Sequence, residues 1–120
     1  MAEELSTDSI LGSVKKLIGS DDYFDQDLIL HINSVFSILT QLGVGPKKGF
    51  SISDDTALWS DFITDNDAVL NMVKTYMKLK VELYFDISSA SSYLIDTKNK
   101  QCDELEWRLN SYCDYNKEET

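Results

Sequence analysis

Leu28, Ile32, Val35, Leu39 and Leu42 recur at spacings of four and three, and no stretch of the chain alternates apolar with polar residues for long enough to build a sheet. A period near 3.6 places such residues on one face of a helix, and that face has to be buried against a neighbour. The same pattern returns along the chain. Ile10, Leu11, Val14, Leu17 and Ile18 predict a short first helix, started by Thr7 or Asp8 and closed by Gly19. Val69, Met72, Tyr76, Leu79 and Leu83, with Val73 and Lys80 beside them, predict a central core helix opened by Asp65 or Asn66. Ser88, Ser89, Ser91 and Ser92 then supply caps, and Leu94, Cys102, Leu105, Leu109 and Tyr112 mark a last helix.

The helix through Leu28 should end at Gly43. The segment from Val44 to Asp55 that follows is rich in turn formers and holds the only proline, Pro46, so it reads as a structured loop. Asp54, Asp55 or Thr56 can cap a short helical turn carrying Leu58, Trp59, Phe62 and Ile63, whose bulk suits a plug at one end of a bundle. The expected fold is therefore all-α: a small helical bundle of three main helices plus one or two short helices, with a structured Gly/Pro loop. A chain of 120 residues supports one such core. Residues 1–7 are expected as a flexible N-terminal arm, 8–112 as a single helical domain and 113–120 as a flexible C-terminal tail.

Signals for chemistry are sparse. The Gly43-Val-Gly-Pro-Lys-Lys-Gly segment has glycines but follows a helix, and no Gly-Lys-Ser/Thr opens a helix after it, so a nucleotide site is not expected. His31 is the single histidine, and Asp27 one turn earlier makes an ordinary surface pair with it. Cys102 and Cys113 are eleven helical residues apart, roughly 16 Å along an axis, too far to pair. The acidic clusters lack calcium-loop spacing. No metal, no cofactor and no enzymatic activity are expected. A net charge of -10 opposes binding to DNA or to an anionic membrane, and no apolar run approaches a membrane span. The start of the chain lacks a signal-peptide layout, so a cytoplasmic setting is expected.

The tryptophans say more. Trp59 is expected in the core, whereas Trp107 sits about 200° around the helix from Leu105, off the apolar stripe. Exposed tryptophan on a small acidic domain is a signature of protein association.

Three stretches carry a resemblance: His31-Ile-Asn-Ser-Val-Phe-Ser-Ile-Leu-Thr-Gln-Leu-Gly-Val-Gly-Pro; Gly49-Phe-Ser-Ile-Ser-Asp-Asp-Thr-Ala-Leu-Trp-Ser-Asp-Phe; and Tyr76-Met-Lys-Leu-Lys-Val-Glu-Leu-Tyr-Phe-Asp, with Glu104-Leu-Glu-Trp-Arg-Leu-Asn further on. In this order, from about Asp8 to Asn110, the chain resembles the head-to-tail connector (adaptor, or head-completion) proteins of tailed bacteriophages. The resemblance implies a structural virion protein, assembled in the host cytoplasm. It would form a ring of about a dozen copies beneath the portal and join head to tail. Its implied partners are other copies of itself, the portal protein and a tail completion or stopper protein, with DNA only passing through the channel. An acidic wall suits that passage, because like charge shortens residence on phosphates. Contacts are then expected on the loop, at Val44, Pro46, Lys47, Lys48, Phe50 and Ile52, and on the last helix, at Trp107, Arg108 and Tyr112. Members often carry proline after the Phe-Asp that ends the core helix; here Phe85-Asp-Ile-Ser-Ser-Ala-Ser-Ser has none.

Composition alone also admits a small acidic cytoplasmic regulator that occupies a basic groove on a nucleic-acid enzyme. A stoichiometric complex without rings would distinguish it. A small enzyme of unfamiliar type would need a pocket that pairs His31 with a carboxylate.

Overall fold

The computed structural model describes residues 9–19, 22–63, 66–86 and 92–119. Among these the chain is all-α. Helix α1 spans Ile10–Ile18, a 3-10 turn covers Asp22–Phe24, and α2 runs Asp25–Gln41. The short α3 is Trp59–Phe62, α4 runs Asp67–Asp86 and α5 runs Ser92–Glu119. The three long helices α2, α4 and α5 make the bundle, with α1 and α3 closing one side.

Helix starts follow the side chains that can satisfy free amides. Ser9 caps α1, its Oγ accepting from the Gly12 amide at 3.1 Å, and Gly19 ends the helix at φ 72°. Thr7 and Asp8, the expected starters, lie outside the described residues. The cap of α3 corrects a second expectation. Asp54 and Thr56 are occupied with one another, the Asp54 carboxylate accepting from the Thr56 amide and hydroxyl, which also lowers its pKa. The α3 cap is Leu58, whose amide donates to Asp61 Oδ2 at 2.9 Å. Asn66 opens α4 as expected, its Oδ1 accepting from the Val69 amide at 3.1 Å.

Leu28, Ile32, Val35 and Leu39 on α2 are fully buried, and Phe36 joins them. Phe36 is the centre of an aromatic cluster, with ring centroids 4.9 Å from Phe50 and 4.8 Å from Phe62, which are themselves 5.2 Å apart. Trp59 is fully buried on its edge, 6.4 Å from Phe36, and its indole N–H donates to Ser13 Oγ at 3.1 Å. The short helix therefore fastens α1 to the bundle, assisted by the Ser9–Leu58 bridge and the Ile10 amide donating to the Ala57 carbonyl at 3.0 Å.

On α4 the buried face is broader than the predicted stripe. Val69, Leu70, Val73, Tyr76, Met77, Val81 and Leu83 are all buried, while Met72 and Leu79 are only partly so. The reason is that α4 touches α1, α2 and α5, so it is covered on three sides where a single stripe serves one neighbour. On α5 the reverse holds. Cys102 and Leu109 are buried and Ile95 and Leu105 pack against the core, but Leu94 and Tyr112, expected on the stripe, are 50 % and 40 % exposed. This helix meets the rest of the bundle mainly through α4, so its apolar seam is narrow.

The arm assigned to residues 1–7 lies outside the described residues, as does the link at 87–91 where the expected proline is missing. Helix α5 continues to Glu119, through most of the segment assigned to the tail.

Candidate docking surface

The loop after α2 begins where Gly43 turns the chain at φ 84°. It does not stand off from the bundle. Val44 and Ile52 are buried and Phe50 is half-buried against Phe36 and Phe62, so these three side chains face the core and hold the loop down. Gly45, also at φ 84°, lies directly on the Phe62 ring. Asn33 on α2 clamps the far side, its Nδ2 donating to the Ile52 carbonyl at 2.9 Å and its Oδ1 accepting from the Ile52 amide at 2.7 Å. A side-chain amide that meets both backbone groups of one residue imitates a strand partner and fixes the loop's height above the helix. Of the loop residues selected from sequence, Lys47 and Lys48 are exposed, with Pro46 half-buried between Gly45 and Lys47.

Trp107 is 70 % exposed on α5, where Asp103 and Glu104, one turn earlier, are also exposed. Arg108 Nη2 lies 2.9 Å from Glu104 Oε1; both side chains are more than half exposed, so the pair contributes little to stability. Tyr112 accepts at its hydroxyl from Asn66 Nδ2 at 3.1 Å, and Asn110 Nδ2 donates to the Leu42 carbonyl at 3.2 Å. These two bonds bring the C-terminal part of α5 to the root of the loop and the start of α4. The two regions selected from sequence are thus joined through Leu42, with Val44 and Ile52 buried in the core and Phe50 half-buried against it.

The seam between α4 and α5 holds a polar latch that the spacing did not reveal. Tyr76, fully buried, donates to Glu106 Oε2 at 2.7 Å. Lys80 Nζ lies 3.9 Å from that same oxygen and 6.0 Å from the centre of the Tyr76 ring. Burial, and then the Glu106 carboxylate, push the Tyr76 phenol well above the usual tyrosine range. Glu106 follows Cys102 by four residues and precedes Leu109 by three, so it lies on the apolar face of α5. A charged residue in that register was the available signal. Cys102 is a free, buried thiol whose pKa burial pushes up to about 11.

These two groups give a pH prediction. Both bind their protons more tightly when folded, so between the unfolded and folded pKa values the native state holds more protons than the unfolded state. Stability then falls as pH rises. For Cys102 the window runs from the ordinary value of 9.0 to about 11. The melting temperature should decline across this range, and Cys102→Ala should flatten the decline. An unchanged slope in that variant would remove the thiol from the account.

His31 is half-buried with its ring 5.3 Å from that of Tyr84. Among the described residues no group of three His, Cys, Asp or Glu side chains is placed to hold a metal ion, and no helix is long and apolar enough to cross a membrane.

A compact all-α bundle, a loop seated on an aromatic cluster and an exposed tryptophan on an acidic helix describe a domain whose distinguishing chemistry lies on its outer surface. A family model described as phage connector protein matches residues 10–116. The chain belongs to this phage connector family, and a structural connector role goes with membership. No curated protein and no solved structure matches it.

Proposed function

We propose that this chain is a head-to-tail connector that assembles as a ring on the portal of a filled phage head and lines the passage through which DNA leaves. The family match over residues 10–116 carries this reading. The -10 charge supports it, since a wall of like sign does not retain DNA in transit. Contacts to neighbouring copies or to the portal are assigned to Pro46, Lys47 and Lys48 on the loop and to Trp107, Arg108 and Tyr112 on α5. Val44, Phe50 and Ile52 act behind the loop by holding its shape. The N-terminal segment, 1–7, is available as an arm, the end of α5 carries the C-terminal contacts, and a tail completion or stopper protein would sit on the opposite face of the ring.

Light scattering during size exclusion tests the proposal, on the protein alone and mixed with a portal protein from the same genome. Co-elution or a ring-sized species is expected. A monomer that ignores the portal and instead forms a stoichiometric complex with a nucleic-acid enzyme would replace the connector with the regulator. Within the connector reading, Trp107→Ala should weaken assembly by roughly 2 kcal/mol per contact, the scale of an aromatic anchor, while leaving the unfolding free energy within about 0.5 kcal/mol of the parent. Unaltered assembly would exclude Trp107 from the interface.

A further inference from the structure

Helix α5 is 28 residues long, yet among its described side chains only Cys102 and Leu109 are buried, and it meets the rest of the bundle mainly through α4. What specifies its seat is polar. The Tyr76 hydroxyl donates to Glu106 Oε2 at 2.7 Å, Lys80 Nζ lies 3.9 Å from the same oxygen, and Lys98 Nζ lies 3.5 Å from Glu82 Oε1. From Tyr76 to Glu82 along α4 the partners run back from Glu106 to Lys98 along α5, so the two helices lie antiparallel. The apolar residues alone do not fix this register. Cys102, Leu105 and Leu109 recur at spacings of three and four, so a slip of one turn lays an apolar residue on α4 again. The four charged side chains are 20–31 % exposed, sheltered enough that a slipped register, which leaves them unmatched, is disfavoured.

Each of these pairs crosses from α4 to α5, so the α5 of any other copy meets the same α4 with the same partners. The structure assigns α5 as an exchangeable helix: in the assembly one copy lays its α5 on the α4 of the next. Glu106 then meets that copy's Tyr76 and Lys80, and Lys98 meets its Glu82. The bonds of Tyr112 to Asn66 and of Asn110 to the Leu42 carbonyl transfer with the helix. Exchange keeps each of these bonds and adds a link between copies, which makes it a low-cost route to an oligomer. Six peptide steps separate Asp86 from Ser92, roughly 20 Å when extended, against about 8–10 Å between packed helix axes. Passed on in one direction, the helix links copies around a ring; returned, it closes a pair. The inference rests on the self-association in the connector reading and deepens it by naming the surface that serves it.

Two full-length variants, each mismatched within its own chain, test the exchange. Lys80→Glu/Glu82→Lys reverses the α4 side and Lys98→Glu/Glu106→Lys reverses the α5 side, so each alone sets like charges across its seam. Charges match only where the α4 of one variant receives the α5 of the other. The fourfold variant matches within one chain and controls for the reversal itself. The two variants, one carrying an affinity tag, are refolded from urea separately and together; co-purification and light scattering read mixed species, and circular dichroism reads helix content. The expected result is a mixed species roughly tenfold or more above the self-association of either variant alone. Where a variant alone is unfolded, helix content regained on mixing is the same result. Folded variants that stay unmixed overturn the inference, as do variants that each assemble alone as well as the parent. So do unfolded variants that stay unfolded together while the fourfold variant folds. If the fourfold variant does not fold, Glu82→Lys and Lys98→Glu in separate chains are read in the same way. A parent that co-elutes with the portal while no mixed species forms keeps the connector and loses the exchange.

Discussion

Trp59→Ala should lower the stability of the domain by about 3–5 kcal/mol, the range for removing a large aromatic side chain from a packed core. Three losses coincide at this position. The fully buried indole leaves a cavity next to Phe36, the Ser13 hydroxyl loses the donor that approaches to 3.1 Å, and Lys74 loses the ring beneath its ammonium. Domains of this size have roughly 5–15 kcal/mol in total, so the variant would be marginal near body temperature. Urea unfolding followed by circular dichroism measures the change. Trp59→Phe separates the causes, because it keeps most of the apolar volume and removes the hydrogen bond, for about 1 kcal/mol. A loss below about 1 kcal/mol for Trp59→Ala would mean that α3 does not fasten α1 to the bundle.

Gly45→Ala should cost about 2–5 kcal/mol through a different mechanism. The backbone sits at φ +84°, where an L side chain is disfavoured by roughly 1–2 kcal/mol, and the new Cβ would meet Phe62 Cε1 and Cζ, the latter at 2.8 Å. Phe62 is 5 % exposed and held between Phe36 and Phe50, so it cannot swing away without disturbing both; overpacking of this kind adds about 1–3 kcal/mol. Combining Gly45→Ala with Phe62→Leu should recover part of the steric loss but not the backbone strain. Strict additivity in that double-mutant cycle would show that loop and ring are not in contact.

The helices were legible because an apolar face has to repeat at the period of the backbone, and α2 obeys this residue by residue from Leu28 to Leu39. Gly19 and Asn66 were legible for an equally local reason, since a helix end needs a left-handed turn or a side-chain acceptor. What escaped was set by neighbours. The number of helices packed on α4 decides whether Leu70, Met77 and Val81 are buried, and a linear pattern does not contain that number. Phe36 lies beside the α2 stripe and became central only because Phe50 and Phe62, 14 and 26 residues later, fold back on it. On the surface, the exposure of Trp107 followed from its angle to the stripe. The shared groove of Lys16 and Lys78 did not, because these residues are 62 positions apart and line one concavity only through the packing of α1 on α4.

The clamp from Asn33 to Ile52 carries a calorimetric consequence. Lifting the loop off the bundle would expose Val44 and Ile52, at about 1.5–3 kcal/mol for each buried apolar side chain, together with the half-buried Phe50, and would break two hydrogen bonds besides. A partner that grips Lys47 and Lys48 therefore meets a surface whose shape is already set. The heat-capacity change on association should match the area of the contact alone, without the excess that accompanies coupled folding. When many copies assemble, this difference multiplies: ordering entropy that would be lost at every subunit has already been lost once, when each chain folded.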